Sequence, residues 1–211
     1  MDGDRERWNA KWRERAGELE APAQFVAENA HRLPASGRAL DVAGGAGRNA
    51  IWLARRGLVV TLVDVSDVAL DRAERRATTL GIAERLRFVR ADLDAADALT
   101  LAPVFDVIVI VDYLNRARRD AIAGLLAPEG VLVATQPTVE NLTRHAHPSR
   151  QYCVEAKELF TWARDLGLAV EVWREDWNHE GRHVAELVAR RVVRTEEVPR
   201  EPIDGSQGPY R

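Results

Sequence analysis

One cysteine, Cys153, and one methionine stand among 211 residues. A lone cysteine forms no disulfide within the chain, so the fold must be held by its core, and a reducing, cytoplasmic setting is expected. No apolar run approaches the roughly 20 residues of a membrane-spanning helix, and no membrane partner is expected. The opening stretch MDGDRERWNAKWRER lacks an apolar centre and does not read as a secretory signal. Neither sign of charge dominates: 30 basic against 33 acidic residues leave a net −3, which argues against a nucleic-acid partner. Internal repeats are absent. What remains, 46% hydrophobic and 30% charged residues over this length, is the composition of one globular domain with short extensions.

Apolar runs alternate with helix-like segments. Helices are expected over 5–15, 20–33, 47–57, 66–80, 115–126 and 155–165. Strands are expected at GRALDVA (37–43), VVTLVD (59–64), RLRFVRAD (85–92), FDVIVIVD (105–112) and VLVATQ (131–136). Ser66 suits an N-cap; Gly57 and Gly81 suit helix ends, and Pro128 with Gly130 suits a turn. The run 105–112 is almost wholly apolar, as for a strand covered on both faces. The last two runs, LAVEVWRE (168–175) and RHVAELVARRVV (182–193), are separated by only a few polar residues, too few for a parallel crossover, and are expected as an antiparallel hairpin. The fold class is therefore α/β: a Rossmann-like, doubly wound, mostly parallel seven-stranded sheet with an antiparallel C-terminal hairpin. The expected divisions are an N-terminal helical lid or extension at 1–34, the main domain at 35–193 and a flexible tail at 194–211, rich in charge, Pro and Gly.

Ligands of open α/β sheets bind at the carboxyl ends of the strands. Here the first strand ends in Asp41 and a glycine turn (Gly44, Gly45, Gly47), the second in Asp64, the third in Asp92, the fourth in Val111, Asp112 and Tyr113. Carboxylates at neighbouring strand ends repel a pyrophosphate. They suit a cationic ligand carrying hydroxyls and an amino group, of which S-adenosylmethionine is one. A nicotinamide dinucleotide fold also places an acid about 20 residues beyond its glycines, yet leaves Asp41, Asp92 and the closing hairpin unexplained.

On these residues the chain resembles the class I S-adenosylmethionine-dependent methyltransferases over roughly 35–193. LDVAGGAGRNA stands where that class has D-x-G-x-G-x-G, with Ala43 replacing the usual first glycine. An Ala adopts ordinary dihedrals and adds a methyl near the ligand, and Gly44 is expected to return the lost freedom. WNAKW near the start, GRNAIWLA, DYLNR, LAPEGVLV and HPSRQYCVEAKEL look most like the small-molecule branch around tellurite-resistance and thiopurine methyltransferases. The resemblance implies S-adenosylmethionine as cofactor. It implies that Gly44, Gly45 and Gly47 let backbone approach the cofactor's amino-acid portion and that Asp41 orients that portion. It further implies that Asp64, followed by Val65, accepts the ribose hydroxyls, that Asp92 with the Leu93 amide reads the adenine amino group, and that the Val111 carbonyl faces the ammonium.

Methyl transfer is an in-line displacement in which the protein mainly positions the reactants. A sulfur, selenium or tellurium nucleophile needs no base, and no catalytic base stands out. The expected acceptor is a small molecule, with a thiol or a chalcogen oxyanion as candidates. The alternatives are methylation of a protein or other macromolecule, and a non-catalytic cofactor-binding domain. Substrate-side candidates are Tyr113 and Asn115 after the fourth strand and, in NLTRHAHPSRQY, Arg144, His145, His147 and Arg150, a set able to hold an oxyanion or simply a solvated loop. No metal site is expected from His145 and His147. Trp8 and Trp12, four apart, form either a lid over the cofactor or a core-facing staple. Trp173 and Trp177 are expected to pack, and Cys153 to be a small buried hydrophobe.

Overall fold

Seven strands form one mostly parallel sheet with an antiparallel C-terminal hairpin, as expected; numbered along the chain they stand side by side in the order third, second, first, fourth, fifth, seventh, sixth. The computed structural model describes residues 2–15, 17, 21–95 and 104–192; the expected tail 194–211 lies outside them. Strands β1 (Gly37–Val42), β2 (Leu58–Asp64), β3 (Leu86–Arg90), β4 (Phe105–Val111) and β5 (Leu126–Pro137) run parallel. The hairpin of β6 (Leu168–Trp177) and β7 (His183–Arg191) completes the sheet, β7 lying antiparallel between β5 and β6.

Helices α1 (Asp2–Glu14), α2 (Gln24–Glu28), α3 (Arg48–Arg55), α4 (Asp67–Thr79), α5 (Arg119–Gly124) and α6 (Glu158–Asp165) cover the sheet. One core layer packs Val109, Val133 and Val188 of the sheet against Phe25 of α2, Leu53 of α3 and Ala73 of α4. The other packs Ile108, Leu132 and Leu187 against Ile122 of α5, and Leu159 and Trp162 of α6. Neighbouring residues thus serve opposite layers, which is the period-2 alternation of a strand buried on both faces.

Several elements are shorter than their apolar pattern suggests. The helix expected over 20–33 is only α2 plus a 3-10 turn at Ala30–Arg32, broken at Asn29, whose side chain donates to the Phe25 carbonyl (2.8 Å). The helix expected over 115–126 begins at Arg119, because Asn115 Oδ1 accepts from the Ala117 and Arg118 amides (3.0 and 3.1 Å) and turns the chain first. The fifth strand begins at Leu126 rather than 131: Leu126 pairs with Phe105, and the Pro128–Gly130 turn is absorbed as an irregularity within the strand. Ser66 caps α4 as expected, accepting from the Ala69 amide (3.2 Å).

Candidate active site

The turn after β1 is built around Asp41. Its carboxyl group is almost wholly buried; Oδ2 accepts from the Ala50 amide at 3.0 Å, while Oδ1 has no hydrogen-bond partner. Burial pushes its pKa up to about 7, opposed by the Ala50 amide and by Arg48, with Asp64 adding to the rise. A methyl group at Gly44 would lie 2.3 Å from Leu62 Cδ1 and 2.5 Å from Asp41 Oδ2, so only glycine fits there. Gly45 and Gly47 have φ of 57° and 76°, and Gly47 opens α3.

Ala43 itself has φ of 50°. The expectation of ordinary dihedrals at Ala43, with Gly44 supplying the freedom, is thus corrected. The tight reversal from β1 falls on the alanine, while Gly44 is fixed by crowding against Asp41.

Asp64 ends β2 and is buried. Its Oδ2 accepts from the Gly45 amide and its Oδ1 from the Ser66 amide, both at 2.8 Å. Burial raises its pKa, and the amides of Ser66, Gly45 and Val65 counter the rise. A carboxylate has about four acceptor sites, so these amides leave capacity for a hydroxyl donor. Asp92 lies two residues past the end of β3. Its Oδ1 accepts from the Asp94 amide (3.0 Å), and its carbonyl accepts from the Ala95 amide (3.0 Å), closing a turn that buries Leu93.

Helix α1 lies across this end of the sheet. Asn9, buried, accepts from the Ser66 hydroxyl (2.7 Å) and the Val68 amide (3.3 Å). Trp12 sits on the glycine turn: a methyl group at Gly45 would come within 2.5 Å of its Cζ2. Trp8 differs from Trp12 despite their spacing, being 40% exposed with the Lys11 ammonium 4.5 Å from its ring.

Beside the turn opens a cleft of about 790 Å³. Its floor is a lateral row across four strands, Val111, Thr135, Glu186 and Arg174, successive pairing partners on β4, β5, β7 and β6. Arg174 joins Glu186 to Glu28 of α2, 2.9 Å away. On the other wall Arg182 makes a bidentate pair with Asp112 (2.7 and 3.1 Å), and Asp112 has φ of 57°. Arg48, the first residue of α3, faces the same space.

The substrate-side residues expected from the sequence lie elsewhere. Tyr113 and Asn115 both donate to Asp94 Oδ1 (3.0 and 2.6 Å) and line a separate crevice of about 20 Å³. Arg144 lies over the Trp177 ring at 3.7 Å, and His145 Nε2 is 2.7 Å from the Gly181 carbonyl. His147 gives its carbonyl to Asn141, and Arg150 pairs with Glu155 at 2.7 Å. The loop thus braces the hairpin tip from outside, and none of its four candidates lines the cleft. Trp173 packs tilted on Phe160 as expected, whereas Trp177 also walls the cleft. Cys153 is buried, and burial raises its thiol pKa. No three metal-ligating side chains converge among the described residues. The cleft's ion pairs were not anticipated from the sequence. The available sign was Glu186, a charge inside the apolar run HVAELVA.

Residues 39–130 match the family described as "Methyltransferase domain". A release factor glutamine methyltransferase of Chlorobaculum tepidum is 45% identical over 97 residues, 41% of this chain and 33% of that protein. A tRNA 5-carboxymethoxyuridine methyltransferase of Escherichia coli is 36% identical over 101 residues, 45% of this chain and 38% of that one. The matches therefore span little more than a third of these curated relatives. The crystal structure of TehB from Haemophilus influenzae superposes with a TM-score of 0.65 at 17% identity, covering 87% of this chain and 67% of that one, a likeness of fold. The buried, orphaned carboxyl oxygen of Asp41 is suited to an ammonium-bearing ligand. Residues 39–130 thus match a methyltransferase domain, and they lie within an α/β sheet whose fold is shared with solved methyltransferase structures.

Proposed function

We propose that the chain transfers a methyl group from S-adenosylmethionine to an organic small molecule seated in the 790 Å³ cleft, by in-line displacement. The observation that carries this reading is the cleft itself, opening beside the glycine turn and floored by Val111 at the end of β4. Its size falls within the roughly 300–1,000 Å³ of organic ligand pockets. That favours an organic acceptor, such as a thiol, over a bare chalcogen oxyanion. S-Adenosylmethionine supplies the electrophilic methyl when bound. Asp64 accepts the ribose hydroxyls beside Val65, Asp92 and the Leu93 amide take the adenine amino group, and Asp41 and the Val111 carbonyl face the ammonium. The backbone at Gly44, Gly45 and Gly47 borders the amino-acid portion. Trp12 and the rest of α1 cover that portion as a lid. Asp112 and Glu186 are committed to Arg182 and Arg174, which fits an acceptor that arrives already nucleophilic. The chain's setting in this reading is the cytoplasm.

Asp64→Asn, which keeps the shape, is expected to weaken binding of S-adenosylhomocysteine by about 1.5–3 kcal/mol, the scale of hydrogen bonds to a charged group. Calorimetric titration measures this, and unchanged affinity in a folded variant removes Asp64 from the site. A second reading, methylation of a protein or RNA, is favoured by the names of the two curated relatives. Incubation with tritiated cofactor in cell lysate separates the readings: label in small molecules supports the first, label in protein or RNA the second. Binding with no transfer to either identifies a cofactor-binding protein.

A further inference from the structure

Tyr113 and Asn115 stand one and three residues past Asp112, yet both turn away from the cleft. The Tyr113 hydroxyl and the Asn115 amide converge on one oxygen, Asp94 Oδ1, at 3.0 and 2.6 Å. Asp94 in turn donates its backbone amide to Asp92 Oδ1 at 3.0 Å. Asp94 therefore links the loop after β4 to the carboxylate after β3, its side chain bonded to the first and its backbone amide to the second. Neither strand end reaches the other through the sheet, because β2 and β1 stand between β3 and β4.

The turn carrying Asp92 has two anchors among the described residues. Leu93 is buried in the core layer of Ile108, Leu132 and Leu187, with Tyr113 packed on the same cluster, and Asp94 is clasped by Tyr113 and Asn115. With Oδ1 occupied by the Asp94 amide, the Asp92 carboxylate has a set rotation and Oδ2 left over. Burial and Asp94 raise the Tyr113 hydroxyl well above its ordinary pKa, so it stays a donor and is no proton acceptor for a reaction in the cleft. The Tyr113 carbonyl is held by Gln136 Nε2, which fixes the loop from its other side.

We infer that Tyr113 and Asn115 are positioning residues of the adenine subsite, acting through Asp94 to aim the Asp92 carboxylate at the exocyclic amino group. The inference rests on the assignment of Asp92 to adenine made above. It ties adenine recognition to the β4 loop, the element that also borders the acceptor cleft through Asp112.

The test is discrimination between S-adenosylhomocysteine and S-inosylhomocysteine, in which a carbonyl replaces the 6-amino group. Calorimetry is run on the full chain and on Tyr113→Phe, Asp94→Ala and Asp92→Asn, each checked for an unshifted thermal transition. The wild type is expected to prefer the adenine ligand by about tenfold or more, since a carboxylate that accepts from the amino group is left facing a carbonyl. Tyr113→Phe and Asp94→Ala are expected to bring that preference to within about threefold of unity, alongside Asp92→Asn. A variant that merely loosened the fold would weaken both ligands equally and leave the ratio. If Asp92→Asn loses the preference while Tyr113→Phe and Asp94→Ala keep it, the positioning role is overturned and the adenine assignment stands. If the wild type shows no preference, or Asp92→Asn keeps it, the adenine assignment fails and takes the positioning role with it.

Discussion

Asp41 is a buried carboxyl group with one oxygen accepting from the Ala50 amide and the other without a hydrogen-bond partner. Its pKa moves from the usual 3.8 to about 7 because burial disfavours the charge. Between about pH 4 and 7 the folded chain therefore holds a proton that the unfolded chain has released. Stability falls as pH rises through that window and levels off above it. Asp41→Asn is expected to flatten this dependence in chemical denaturation. A cationic ammonium beside Asp41 reverses the balance, so S-adenosylhomocysteine binding at pH 6 is expected to expel up to one proton. Titrations in two buffers of different ionisation enthalpy measure it, and identical enthalpies would refute the placement. Ala43 makes a second residue-scale test. A left-handed alanine costs roughly 1–2 kcal/mol and glycine returns about 0.5–1 as chain entropy, so Ala43→Gly is expected to stabilise the protein by up to about 1 kcal/mol. A lower melting temperature would show that the alanine methyl packs for more than its strain.

At the scale of elements, the strands were legible because each carries an apolar run or an apolar–polar alternation of the right length, and Ser66, Gly57 and Gly81 mark helix ends by local chemistry. Helix extents were less legible. Asn29 and Asn115 redirect the backbone with side-chain hydrogen bonds that apolar periodicity does not register. In the site, the acids at strand ends were readable since the sheet order places them there. Side-chain direction was not: Tyr113 and Asn115 share a loop with Asp112 but turn to Asp94, and Arg144 turns to Trp177. Nor could spacing separate Trp8 from Trp12, because the difference lies in how α1 is docked. That docking passes through Asn9. Asn9→Ala leaves the buried Ser66 hydroxyl without its acceptor, at a cost of about 1–3 kcal/mol. It is expected to speed tryptic cleavage at Lys11 and Arg13, with S-adenosylhomocysteine slowing it again. An unchanged digestion pattern would mean that α1 is held by other contacts.

Across the whole molecule the sheet divides two core layers, and β7 contributes to both through adjacent residues, Leu187 to one and Val188 to the other. Both are fully buried. Leu187→Ala is expected to cost about 2–5 kcal/mol, and Val188→Ala somewhat less for the smaller side chain. Each is expected to shift tryptophan fluorescence and far-ultraviolet circular dichroism together, as one cooperative unit. Separated transitions would show that the layers melt independently. The position of β7 also orders events during synthesis. Among the described strands the five parallel ones are synthesised before the hairpin, and β5 presents a bare edge of Val131, Leu132 and Val133 until β7, made after β6, is seated between them. The glycine turn after β1 is thus made early, while the cleft, whose floor needs Glu186, exists only after β7 is seated. In that interval the open β5 edge is the segment on which a trigger-type chaperone, or another unfinished copy, would act.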